Sequence, residues 1–179
     1  CLKGLHLQEM GEAMSNLGNA LMVACAKMGI HFTACAPKEL FPAQELGAEA
    51  RLIAEENECT IRLTEDVDQG VKDADAVYTD IWVSMGEPDS VWGTRIELLR
   101  RYQVNGEVMK KAKHTAVFMH CLPSFHETRT TIGAGMAEKF GITEMEVTDE
   151  VFESRQSVVF DQAENRMHTI KAIIYATLC

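Results

Sequence analysis

The chain has 179 residues, 46% hydrophobic and 25% charged, a globular balance that argues against disorder and allows one domain with a real core. Seventeen Lys and Arg against 27 Asp and Glu leave a net charge of −10; the basic run Lys110, Lys111, Lys113 is too short for a nucleic-acid stripe, so no nucleic-acid partner is expected. No stretch reaches the roughly 18 apolar residues of a membrane span, and the six cysteines form neither a Cys-x-x-Cys pair nor a secreted disulfide framework, which points to a cytoplasmic, reducing compartment.

The chain opens at Cys1, with no initiator Met or signal peptide and an apolar strand pattern a few residues on, which reads as a fragment or processed piece. A first strand is predicted over 5–10, although Gln8 and Glu9 are unusual in a buried parallel strand. After a polar turn, Leu17, Leu21, Ala24, Cys25 and Met28 recur at helical spacing, predicting a helix over 16–28 stopped by Gly29. A strand over 30–36 ends at Pro37, and a helix over 42–56 carries Leu46, Ala50, Ile53 and Ala54 inward. A third strand is predicted over 60–63, a short helix capped by Asp66 and ending near Lys72, and a fourth strand over 76–79. The segment 80–88 is a loop, followed by helices over 91–99 and 105–112 and a fifth strand over 116–119. Then come a helix over 130–140, a brief extended stretch at 145–147, and a long terminal helix on which Phe160, Ala163, Met167, Ile170 and Ile174 repeat at spacings of three and four.

Strands alternating with helices predict an α/β fold: a doubly wound, mostly parallel sheet with helices on both faces. Residues 1–157 form the α/β domain and 158–179 the long C-terminal helix. Ligands of such sheets bind beyond the carboxyl ends of the strands, where three polar loops fall, 11–19, 80–88 and 120–126. The first lacks Gly-x-Gly-x-x-Gly, and the second strand ends in Ala36-Pro37 where a ribose-binding acid would stand, which disfavours a dinucleotide. His120, Cys121 and His126 have no second cluster to complete a tetrahedral metal set, so no metal is expected.

Three strings carry sharper information: Asp80-Ile81-Trp82-Val83-Ser84-Met85-Gly86-Glu87, His120-Cys121-Leu122-Pro123, and Gln162-Ala163-Glu164-Asn165-Arg166-Met167-His168-Thr169. With Thr64-Glu65-Asp66-Val67, Tyr102-Gln103-Val104-Asn105 and the segment 147–154 they resemble, in order and in context, the signatures of ornithine carbamoyltransferases. That resemblance implies an ornithine-binding site at Asn16, Asp80, Ser84 and Met85, polar groups and a backbone amide that hold the α-amino and α-carboxylate groups. It implies carbamoyl phosphate contacts at Cys121, Leu122 and Arg166, with His120 beside them. Cys121 is the catalytic candidate, as proton acceptor or relay for the δ-amine. No cofactor is implied, and the family resemblance points to a homo-oligomer, a trimer.

Two departures qualify the resemblance. Carbamoyltransferases carry a Ser-x-Arg-Thr-Arg loop for carbamoyl phosphate in a first domain, and no such string occurs here, so the chain resembles the second, ornithine-binding domain with an incomplete phosphate site. Where relatives show Gly-Asp-Ala-Arg-Asn-Asn, this sequence has Gly11-Glu12-Ala13-Met14-Ser15-Asn16. Half of a carbamoyltransferase, needing its N-terminal domain as partner, therefore stands beside two alternatives: a non-catalytic remnant or amino-acid-binding module, and a transferase for another amine such as putrescine. In the family the terminal helix packs back across the first domain, which leaves its apolar stripe in need of a partner surface.

Overall fold

Strand β1 (His6–Met10) is the middle of a five-stranded parallel sheet of order β3-β2-β1-β4-β5, in a computed structural model that describes residues 2–84 and 86–178. It lies between β2 (His31–Cys35) and β4 (Ala76–Thr79); β3 (Ile61–Thr64) flanks β2 and β5 (Val117–His120) flanks β4. Met10 pairs with Cys35 and Thr79, and Thr79 with His120, so these strands end level along one edge. The doubly wound α/β class read from the alternation is what the chain adopts.

The helices begin and stop where local chemistry dictates. The Ser15 side chain accepts the Gly18 amide to open α1 (Asn16–Met28), and Gly29, left-handed at φ 68, closes it. The Asp66 carboxylate accepts two amides to start α3 (Val67–Val71), and Asn105 does the same for α5 (Gly106–Met109). Thr130 caps α6 (Thr131–Phe140). Helix α2 (Gln44–Glu56) starts two residues later than expected, after a 3₁₀ turn at Lys38–Leu40 that the sequence reading did not include. Helix α4 (Trp92–Leu99) follows another such turn, and α5 stops three residues early because Lys111 and Ala112 bond back to Val108 and Met109, an i→i−3 tightening. Helix α7 (Asp149–Phe152) was not expected. Right-handed crossovers place α1 and α2 on one face; α3, α4 and α5, whose connections run the opposite way along the sheet, lie on the other.

Gln8 and Glu9 are 0% and 1% exposed, and both Glu9 carboxylate oxygens lack a hydrogen-bond partner. The outer side of β5 is covered by the chain itself: Phe118 donates to the Gln156 carbonyl (2.8 Å) and accepts from Val158 (3.0 Å). From that cover springs α8 (Val159–Leu178). Val159 is buried and Phe160 meets Phe152 edge-on at 5.9 Å, but beyond half-buried Gln162 the helix stands clear, with Ile173 61%, Tyr175 73% and Leu178 78% exposed.

Candidate active site

Strands β1 and β4 are neighbours whose connections leave towards opposite edges of the sheet, so a crevice opens between the loops that follow them. The Thr79 hydroxyl donates to the Met10 carbonyl at 2.9 Å and holds the two strand ends together. Gly11 then turns out of β1 at φ 105, a conformation side chains resist, with the indole of buried Trp82 against it.

Asp80 leaves β4 and Cys121 leaves β5 directly into this crevice. The Cys121 thiol donates to the Asp80 carboxylate at 2.7 Å, and the same oxygen accepts the Ile81 amide at 2.8 Å. Burial pushes the thiol up to about 12, helped by the hydrogen bond and charge of Asp80 and by the charge of Glu146. At neutral pH it is therefore a protonated donor, not a thiolate.

The His120 imidazole is buried and turned away from solvent, its Nε2 3.2 Å from Glu146 Oε1. That oxygen also accepts the Phe125 amide (2.6 Å) and the Ser124 hydroxyl (3.0 Å), so one buried carboxylate shapes the loop after β5. On the first turn of α8, Gln162 accepts the His120 amide (3.2 Å) and donates to the Tyr78 hydroxyl (2.7 Å). Burial raises the Tyr78 phenol above its ordinary range, which keeps it neutral. Arg166 follows one helical turn later. Together Tyr78, His120, Cys121, Leu122, Gln162 and Arg166 border a cleft of about 640 Å³, with Leu17 of α1 across it.

Ser84 lies elsewhere, on a neighbouring hollow of about 320 Å³ that also touches Ile81, Glu87, Trp92 and Phe125. Its amide donates to Glu87 Oε2 at 2.7 Å, and Arg95 of α4 reaches Glu87 Oε1 at 3.2 Å and Glu12 at 3.8 Å. Glu12 is buried, and burial raises its pKa against the opposing pull of Arg95. Asn16 is exposed at the start of α1 and lines neither space, although its neighbour Leu17 does. Met85 falls outside the described residues. The fold thus brings Asp80 to Cys121, and His120, Leu122 and Arg166 to the same cleft, while Ser84 and Asn16 flank it.

Four residues escaped the sequence reading: Tyr78, Gln162, Glu146 and Arg95. Gln162 and Tyr78 carry a signal, one at the head of the motif 162–169 and the other one residue from a strand end; Glu146 and Arg95 carry no local signal. Among the described residues, His126, Asp149 and Glu153 offer ligand atoms within 4.8 Å of one another. The His126 ring is already bonded to Asp149 at 2.8 Å and stacked on Phe152 at 3.7 Å, and the charge of Arg129 acts with those of Asp149 and Glu153. This is a self-satisfied structural pair.

Chemically, Asp80 suits an ammonium group, the thiol–carboxylate pair can pass a proton, and Arg166 offers a cation to an anionic ligand in the cleft. Residues 3–177 match the family model described as the aspartate/ornithine carbamoyltransferase Asp/Orn-binding domain. The chain is 61% identical over 178 residues to a catabolic ornithine carbamoyltransferase of Treponema denticola, covering 99% of this chain and 53% of that protein. It is 57% identical over 175 residues to an ornithine carbamoyltransferase of Staphylococcus aureus, covering 97% and 53%. Among solved structures it resembles the ornithine carbamoyltransferase of Pyrococcus furiosus (TM-score 0.81, 35% identity, 97% of this chain and 49% of that one). That of Gloeobacter violaceus is similar too (TM-score 0.80, 29% identity, 99% and 53%). The chain spans about half the length of the curated relatives it matches.

Proposed function

This chain belongs to the aspartate/ornithine carbamoyltransferase family as its Asp/Orn-binding domain, and from that premise we propose that it supplies the ornithine side of the reaction carbamoyl phosphate + L-ornithine → L-citrulline + phosphate. The observation that carries this reading is the Cys121 thiol donating to Asp80 at 2.7 Å, beside a cleft that Arg166 borders. Asp80 suits the α-ammonium of an amino-acid acceptor, whereas Glu12 and Glu87 are both engaged by Arg95.

In this reading Asp80 and the loop of Ser84 and Met85 hold the α-amino and α-carboxylate groups of ornithine, with Asn16 at the rim. The δ-amine, with a free pKa near that of lysine at about 10.4, must lose a proton, at roughly 4 kcal/mol at pH 7.4. A thiol held protonated beside a carboxylate favours the relay over a direct base: sulfur takes the amine proton as its own passes to Asp80. The amine nitrogen then bonds to the carbamoyl carbon, the bond to the phosphate oxygen breaks, and Arg166 and backbone amides near Leu122 stabilise the leaving anion. His120 acts by fixing the loop through Glu146.

The remaining partners are proposals of the same rank. A carbamoyl-phosphate domain completes the phosphate site and covers the apolar side of α8, and a homotrimer holds the assembly. The thiols of Cys25, Cys35, Cys59 and Cys121 are free, which suits the cytoplasm, and no described helix is long and apolar enough to cross a membrane. The test is a citrulline assay on the chain alone and on the chain fused behind the N-terminal half of the Treponema denticola relative. Negligible turnover alone and ornithine-dependent turnover in the fusion are expected. Turnover alone within tenfold of an intact relative, or preference of the fusion for putrescine, would overturn the reading.

A further inference from the structure

We propose that Arg95 is a positioning residue for the amino-acid-binding loop 80–88, acting through Glu87 and braced by Glu12. The inference rests on the reading of that loop given above. Glu87 closes the loop on itself: one carboxylate oxygen accepts the Ser84 amide at 2.7 Å, and its own amide donates to the Ser84 carbonyl at 3.1 Å. Gly86 (φ 100), between Ser84 and Glu87, has no side chain with which to fix that carboxylate. Arg95 holds it, with Nη2 3.2 Å from the other Glu87 oxygen.

The anchor is partly buried: the Arg95, Glu87 and Glu12 side chains are 19%, 31% and 7% exposed, and Nη1, which has no hydrogen-bond partner, stands 3.8 Å from Glu12 Oε1. Glu12 sits in the loop after β1 and Glu87 in the loop after β4, so a guanidinium on α4 ties together the two loops that flank the crevice. A planar fork can address two carboxylates at once, whereas an ammonium addresses one point. The geometry therefore makes the orientation of Ser84, and so the affinity for the acceptor amino acid, depend on a side chain that does not line either space. Carbamoyl phosphate, assigned above to the separate cleft that Leu122 and Arg166 line, is left out of this dependence.

Hydrogen exchange on the full-length protein tests the clamp without any catalytic readout. In Arg95→Ala the Ser84 and Glu87 amides should exchange at least tenfold faster while the strands keep their protection, with Arg95→Lys intermediate. Glu87→Ala, which removes the acceptor itself, sets the full loss at Ser84, and Arg95→Gln carries the test if Arg95→Ala does not fold. Steady-state kinetics add the split: KM for ornithine at least tenfold higher, with kcat and KM for carbamoyl phosphate within threefold. Unchanged exchange at Ser84 in either alanine variant, or acceleration spread evenly over the chain, overturns the clamp. A wild-type protein that transfers nothing to ornithine refutes the proposed function, and exchange still decides the clamp.

Discussion

Replacing Glu9 should stabilise the protein, and the gain should grow with pH. Glu9 is 1% exposed in the central strand, neither carboxylate oxygen has a partner, and its charged neighbours are Glu12 and Asp80, which repel it. Burial first, and then those two acids, raise its pKa well above the carboxylate range. The folded state thus keeps a proton that the unfolded chain releases above about pH 4.3, so stability is intact below that pH. It falls by about 1.4 kcal/mol per pH unit until the folded pKa is passed. Glu9→Gln abolishes this slope but leaves a polar group unpaired. Glu9→Met also removes that penalty, about 1–3 kcal/mol in mutational data, and buries apolar surface instead, so at pH 7 it should exceed Glu9→Gln in stability by about that amount. Against a total of about 5–15 kcal/mol this is easily seen in urea unfolding at pH 5, 6, 7 and 8. The difference between wild type and variant cancels the other titrations. A difference that does not change with pH in Glu9→Gln, or a Glu9→Met protein less stable than wild type at pH 7, would mean that Glu9 is ionised and paired, and the reasoning fails.

Three other outcomes are expected. Cys121 should alkylate about a thousandfold more slowly than a free thiol at pH 8, the ratio of thiolate fractions for pKa values of about 12 and 9, and Asp80→Asn should speed it at least tenfold; iodoacetamide labelling read by mass spectrometry checks both. In α6, Gly135→Ala meets nothing within 4 Å and should stabilise by about 0.5–1 kcal/mol, whereas a Cβ at Gly133 falls on the Glu127 carbonyl and should destabilise by about 1–3 kcal/mol, as thermal melts of the pair would show. Replacing exposed Ile173 and Tyr175 by Ser should leave the melting temperature of the chain within about 2 °C while lowering its apparent mass in light scattering, because these side chains touch only solvent or a partner.

Much of this was written in the sequence. The strand at Ala76–Thr79 is where its apolar run predicts it, and α1 starts and ends on the polar turn and Gly29 that bracket its 3.6-residue repeat. The meeting of Asp80 with Cys121 follows from parallel strands that end level, a consequence of topology that loop placement alone foretells. What stayed hidden were contacts between residues far apart in the chain. Nothing local marks Arg95 as the partner of Glu12, 83 positions earlier, because a single cation on an amphipathic helix reads as a solvated face. Glu146 lay in a stretch too short to have a period, yet it organises the His120 loop. The turn at Lys38–Leu40 and α7 are three and four residues long, below the length at which periodicity exists.

The self-made cover over β5 has one more consequence. A parallel sheet of five strands has two rims where unpaired amides invite another chain, the usual start of irreversible stacking. Here one rim is sealed by residues 156–158, and the other is β3, four residues long with Arg62 exposed upon it. A short charged rim resists strand addition, which leaves the oily flank of α8 as the adhesive surface. Clumping of this protein should therefore be a matter of side chains that let go on dilution, and not of a spreading cross-β ladder.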